Sequence, residues 1–217
     1  MWYMPPLRRC EKGSAVMTSK SRFIAVLSVV LTVCFLSSCG AKAPVDVVGS
    51  FISSVRECNT DGAMECVSSP AAIGAHVYSV AEAKRNGDEY GIGTLKRLYS
   101  LVKYTVISAN VELDEAGSET VVSDTGRQTV RIELSAPDFS HLTSLIISET
   151  AFSSKPKIEI LSDFIDDGTV GKHLVKSTVD IVLEKNDGKW SIPFSQSENK
   201  QFYEALGLSS FASWILG

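Results

Sequence analysis

Apolar residues recur at offsets of three and four through Val45, Val48, Phe51, Ile52 and Val55. That is one face of a helix, and it predicts a first helix ending at the turn Asn59-Thr60-Asp61-Gly62. A second, shorter helical stretch is expected over 61–67, closed by Ser68-Ser69-Pro70. Residues 71–93 combine an alanine-rich polar stretch at 81–84 with glycines at 87, 91 and 93, and read as helix and loop. From Tyr104 the period changes to two. Thr105, Ile107, Ala109, Val111 and Leu113 are expected on one face of a strand, with Ser108, Asn110 and Glu112 on the other.

The same alternation sets Val130, Ile132 and Leu134 against Thr129, Arg131 and Glu133, after a turn at Asp124-Thr125-Gly126. Half-buried antiparallel strands carry this pattern, and residues 120–123 fit a short edge strand between the turns. Helical spacing returns at Phe139, Leu142, Leu145 and Ile146, and again at Ile158, Leu161 and Ile165 before Gly168. Ser177, Val179, Ile181 and Leu183 then alternate with Lys176, Thr178, Asp180 and Glu184. Asn186-Asp187-Gly188 follows, a hairpin signal between two alternating runs. Ser195 and Glu198 have capping-box spacing for a helix to about Leu206, with Gly207 as its stop. The apolar tail 211–216 is expected to pack back on the domain.

The order of elements gives an α+β fold, N-terminal helices packed on an antiparallel sheet, with extra helices in the middle and at the C-terminus. At 44% hydrophobic and 21% charged residues, the 217-residue chain has the composition of a globular protein. One folded domain, 45–217, is expected.

Residues 23–36 are uncharged, follow Lys20 and Arg22, and lead into Ser37 and Ser38. This is the order of a secretory signal, and 14 residues fall short of the roughly 20 needed to span a bilayer. Leu36-Ser37-Ser38-Cys39 resembles the lipobox of bacterial lipoproteins. The resemblance implies that residues 1–38 are removed and that Cys39 becomes the first mature residue. Cys39 would then carry diacylglyceryl and N-acyl groups, with 39–44 as a lipidated tether on the outer side of the cell membrane. Two or more acyl chains suffice for stable anchoring. Met17 is the expected translational start, because 17–22 makes an ordinary basic n-region.

Charge divides at the same place. From Cys39 onward 16 basic side chains face 24 acidic ones, a net charge of −8. A domain this acidic lacks the basic footprint that a phosphate backbone requires, which argues against nucleic acid as a partner.

With Cys10 and Cys34 in the removed segment and Cys39 lipidated, Cys58 and Cys66 remain. An even pair in an exported chain favours a disulfide, worth about 2–3 kcal/mol for so short a loop. Two separately buried thiols are the alternative; a metal or redox pair would need a CxxC spacing or nearby histidines that the sequence does not have.

Two stretches carry a family resemblance: residues 44–63 (PVDVVGSFISSVRECNTDGA) and 175–192 (VKSTVDIVLEKNDGKWSI). They resemble the opening helices and closing hairpin of nuclear transport factor 2-like (cystatin-like) lipoproteins of bacterial envelopes. That resemblance implies a curved sheet wrapped into a cone, used in the family as a ligand pocket, an active site or a dimer face. The two extra helical segments in 138–172 depart from the minimal fold.

Chemistry is sparse in the pattern. His76, His141 and His173 lack metal-site spacing, so no metal or cofactor is expected. Each histidine reads as a surface or capping residue, although His173 opens a strand and could reach a pocket mouth. Asp180 sits in a strand but on the face opposite the apolar set. Tyr99 and Tyr104 could donate hydrogen bonds but have no evident partner. Trp190 and Phe194 fit strand positions, either buried or lining a pocket. These residues lead to a non-catalytic, membrane-anchored domain binding an envelope protein or small ligand. The alternative is an isomerase- or dehydratase-like pocket enzyme, or a solute-binding lipoprotein, using the cone cavity.

Overall fold

In the computed structural model, residues 42–217 are described apart from 70, 72, 110, 114–118, 122–125 and 194–196. Cys39, Ser195 and Phe194 therefore lie outside the described residues. Helix α1, Pro44–Arg56, has a proline in its first turn and buries Val47, Val48, Phe51, Ile52 and Val55 along one stripe. Each of these side chains contributes about 1.5–3 kcal/mol when it leaves water. Two residues past the helix, Cys58 turns the chain with a positive φ of 50°. Asn59 then caps α2, Thr60–Met64, its side chain accepting from the Gly62 N–H at 3.1 Å.

The stretch with mixed signals forms two full helices, α3 (Gly74–Arg85) and α4 (Glu89–Ser100). The Asp88 carboxylate caps α4 by accepting from the Gly91 N–H at 2.8 Å. Strand β1, Lys103–Ala109, follows, then the short pair β2 (Val111–Leu113) and β3 (Glu119–Val121), which form their own two-stranded sheet. β4 (Arg127–Pro137) pairs along its whole length with β5 (Leu174–Asn186), from Arg127 opposite Glu184 to Pro137 opposite Leu174.

The main sheet is antiparallel in the order β1-β4-β5-β6, with β6 covering Lys189–Ser191. Positive φ at both Asp187 (51°) and Gly188 (78°) makes the β5–β6 connection the tight turn that the Asp-Gly pair predicts. Past β6, the Ile192 N–H donates to the Cys66 carbonyl and the Ser68 N–H to the Ile192 carbonyl, so residues 66–68 prolong the sheet edge.

Between β4 and β5 lie α5 (Phe139–Thr150), α6 (Lys157–Asp166) and α7 (Thr169–Lys172); α8 (Ser197–Ala205) and α9 (Phe211–Leu216) close the chain. Among the described residues, no helix is long and apolar enough to cross a membrane.

Val130, Ile132 and Leu134 of β4 and Val179, Ile181 and Leu183 of β5 point to the helices, as their alternation predicts. On the opposite face Arg131 grips Asp180 across the strands with two hydrogen bonds of 2.7 and 2.9 Å. Strand β1 is the exception. Tyr104 and Val106 face the core, while Ile107 is 54% exposed and Thr105 lies in solvent, the reverse of the expected face. A register shift between Val106 and Ser108 inserts Ile107 as an extra residue and puts Ala109 on the same core side as Val106, opposite Val130.

Candidate functional site

An α+β domain can work through the space between its helices and its sheet only if that space is open. Here it is filled. Phe51 and Ile52 of α1, Leu95, Leu98 and Tyr99 of α4, Ile132 and Leu134 of β4 and Phe202 of α8 are all fully buried in one continuous cluster. Phe51 meets Phe202 and Tyr203 with ring centroids 5.6 and 6.0 Å apart.

The titratable pair inside this core was not legible in the sequence. His76 of α3 is 3% exposed and stands edge-on to Tyr99, with the Tyr99 hydroxyl 3.5 Å from Nδ1. Burial pulls the imidazole pKa down to about 4 and pushes the phenol upward, so both groups are neutral at physiological pH. His76 is thus a core residue rather than the surface or capping residue expected, and Tyr99 has a partner. Sealed from solvent, the pair has a structural role.

Open space lies outside the core. One cleft of 330 Å³ sits where β4 passes into α5, between the start of β5 and α8; Asp138, Ser140, Val175, Ser177, Gln201 and Glu204 are among its lining. Asp138 organises this corner. Its carboxylate accepts from the His141 N–H at 2.9 Å, and its own N–H donates to the His173 carbonyl at 2.9 Å. The imidazoles of His141 and His173 lie against each other, their centroids 4.3 Å apart and their planes tilted by 45°. The Asp138-x-x-His141 spacing is an N-cap signal that the sequence does contain. Among the described residues, no group of three His, Cys, Asp or Glu side chains is placed to hold a metal ion.

A second cleft, of 310 Å³, opens at the other end of β5, between the start of α1, the residues after α2 and the β5–β6 hairpin. Lys42, Val47, Glu65, Cys66, Lys189 and Trp190 line it. Trp190 is buried at its edge, with the Lys185 ammonium 5.6 Å from the ring centroid.

The two ends separate the residues that the sequence singled out. Cys66 and Trp190 share the second cleft, and His173 stands near the first. Tyr104 packs half-buried on the core beside α1, where a side chain at Gly49 would come within 2.9 Å of its hydroxyl.

The expected disulfide is not formed: Cys58 and Cys66 are both free and buried. Each thiol has its own surroundings. Cys58 closes α1 inside the core, its carbonyl held by the Lys84 ammonium at 2.6 Å, whereas the Cys66 thiol donates to the Gly62 carbonyl at 3.3 Å. Burial raises the Cys58 pKa to about 11 and raises that of Cys66 as well.

No protein-family model matches the chain, so the resemblance to nuclear transport factor 2-like proteins gains no support there, and no curated protein matches its sequence. Among solved structures, the chain is similar to ycdA of Bacillus subtilis, a lipoprotein candidate, at 11% identity and a TM-score of 0.31. The match covers 59% of this chain and 43% of that one, under half of the neighbour's length.

Proposed function

We propose that this chain is a bacterial envelope lipoprotein, anchored through acyl groups on Cys39, whose α+β domain works by binding at its outer surface. The observation that carries the reading is the filled interior, where Phe51, Ile52, Tyr99, Ile132 and Leu134 occupy the space between helices and sheet. A binding or reactive cavity there is what the enzyme and solute-binding alternatives require. With that space packed, contacts with a partner fall to the exterior, and the cleft around Asp138, Val175 and Gln201 is the concave candidate at the end of β5 remote from the hairpin. Membrane residence is supported by Leu36-Ser37-Ser38-Cys39 following an apolar, basic-flanked segment.

Fractionation of cells expressing the full chain or Cys39→Ala tests the anchoring. The wild-type chain is expected in the membrane fraction, with acyl groups on its N-terminal peptide by mass. Cys39→Ala is expected in the soluble fraction or with its signal uncut. Identical processing and membrane association for both would remove the anchoring half of the proposal. Turnover of a small substrate by the domain, lost on substitution at one cleft, would remove the non-catalytic half.

A further inference from the structure

We propose that the cleft between Lys42, Glu65, Lys189 and Trp190 seats a zwitterionic phospholipid headgroup of the bilayer in which Cys39 is anchored. The inference rests on the lipidation of Cys39 proposed above. Its first ground is reach. Lys42, which lines the cleft, follows Cys39 by three residues, so their Cα atoms lie at most about 11 Å apart at about 3.8 Å per step. The polar layer on each side of a bilayer is about 5–8 Å deep. A tether this short brings the Lys42 end within reach of the headgroups, and the side chains of the cleft decide whether that end turns toward them.

The second ground is the charge set. Lys42, Lys189 and Glu65 all act electrostatically on the Cys66 thiol at the cleft wall, the two ammoniums against the carboxylate, which places the three charges around one space. Lys42 also donates to Ser50 Oγ at 3.3 Å. Two cations beside one anion complement a phosphate joined to an ammonium: the lysines take the phosphate oxygens and Glu65 takes the amine, in charge-assisted hydrogen bonds. A purely anionic headgroup would leave Glu65 opposed by like charge and would also meet a domain of net charge −8. Trp190, buried behind these charges, forms the apolar wall of the cleft.

Position is read with fluorophores on Asp187→Cys, in the hairpin turn, and on Lys176→Cys, ten residues before Asn186 along β5 and so about 33 Å from it. The acylated full chain is placed in vesicles of phosphatidylethanolamine with a minority of phosphatidylglycerol, containing a lipid spin-labelled on its headgroup. Strong quenching at 187 and little at 176 is expected. Most of the quenching at 187 is expected to vanish in the variant carrying both Lys42→Gln and Lys189→Gln, and to weaken when phosphatidylglycerol replaces phosphatidylethanolamine entirely. Vesicle-bound protein with equal quenching at both positions, or with quenching at 187 indifferent to the lysine changes, would overturn the headgroup seat while leaving the anchor intact. A full chain exported by the cell and purified with no acyl groups on Cys39 by mass, and that stays off the vesicles, would bring down the anchor and the inference together.

Discussion

The side-chain amide of Asn199 satisfies both backbone groups of Val182: its Oδ1 accepts from the Val182 N–H at 2.9 Å, and its Nδ2 donates to the Val182 carbonyl at 3.1 Å. The same Nδ2 donates to the Pro193 carbonyl at 2.8 Å. Strand β6 stops at Ser191, and Pro193 has no N–H to offer β5, so the amide takes the place of a strand residue at the sheet edge. Asn199 is fully buried. Asn199→Ala leaves three buried backbone groups unpaired and is expected to cost about 3 kcal/mol or more at 1–3 kcal/mol per group. Asn199→Asp, which keeps the acceptor but points a carboxylate oxygen at two carbonyls, should not recover the loss. Urea unfolding of the three proteins decides; a loss below about 1 kcal/mol for Asn199→Ala would mean that water replaces the amide.

His76 makes the domain sensitive to acid. Its pKa is about 4 in the fold, against an ordinary 6.5, because burial disfavours the charged ring. Between those values the unfolded chain binds a proton that the folded chain refuses, so stability rises with pH through this window. The histidine's penalty is absent above about pH 6.5 and fully developed below about pH 4. Its full size is about 3 kcal/mol at 1.36 kcal/mol per pKa unit. Stability curves of wild type and His76→Phe between pH 4 and 7 should converge as pH falls, the wild type losing its advantage. Parallel curves would show that His76 takes up its proton in the fold as easily as out of it.

Much of the architecture is legible where burial and period agree. The stripe of α1, the alternation of β4 and β5 and the Asp-Gly hairpin each state one answer. Three features hide. In β1 the alternation is ambiguous, with Tyr104 and Val106 on one face and the apolar Ile107 beside Thr105 on the other, and the bulge after Val106 leaves no mark in the sequence. In α3 the buried stripe is His76, Ser79, Val80 and Ala83, half of it polar, so its periodicity is faint. In α4, Gly91 looks like a breaker but is there for space: a Cβ on it would run into the Asp88 carboxylate and come within 2.9 Å of Leu216. The clefts are less legible still, since each gathers residues from three elements distant in sequence.

Two glycines with the same backbone conformation should respond differently to alanine. Gly207 ends α8 at φ 65°, and a Cβ there would stand 2.6 Å from the Phe139 ring. Gly87 follows α3 at φ 72° with open space where the Cβ would go. Gly87→Ala carries the left-handed backbone penalty alone, about 1 kcal/mol. Gly207→Ala adds overpacking against an aromatic ring wedged between Tyr99 and Phe211, for about 2–4 kcal/mol in all. Thermal melts of both variants test the difference; equal shifts would show that Phe139 moves aside at no cost.

The two thiols should be present but slow to react. Burial raises the Cys58 pKa from 9.0 to about 11, which leaves about a hundredfold less thiolate near neutral pH than an ordinary cysteine has, and Cys66 is shifted in the same direction. Folded protein treated with a maleimide near neutral pH, without reductant, should label at both sites only at the rate of local opening, far more slowly than an exposed cysteine such as one placed at Asp187. In denaturant, still without reductant, Cys58 and Cys66 should both label at once. Labelling of neither in denaturant would reveal a disulfide and require the turn between α1 and α2 to be rearranged. Fast labelling of Cys66 alone in the folded state would instead mean that the cleft it shares with Trp190 admits reagents freely.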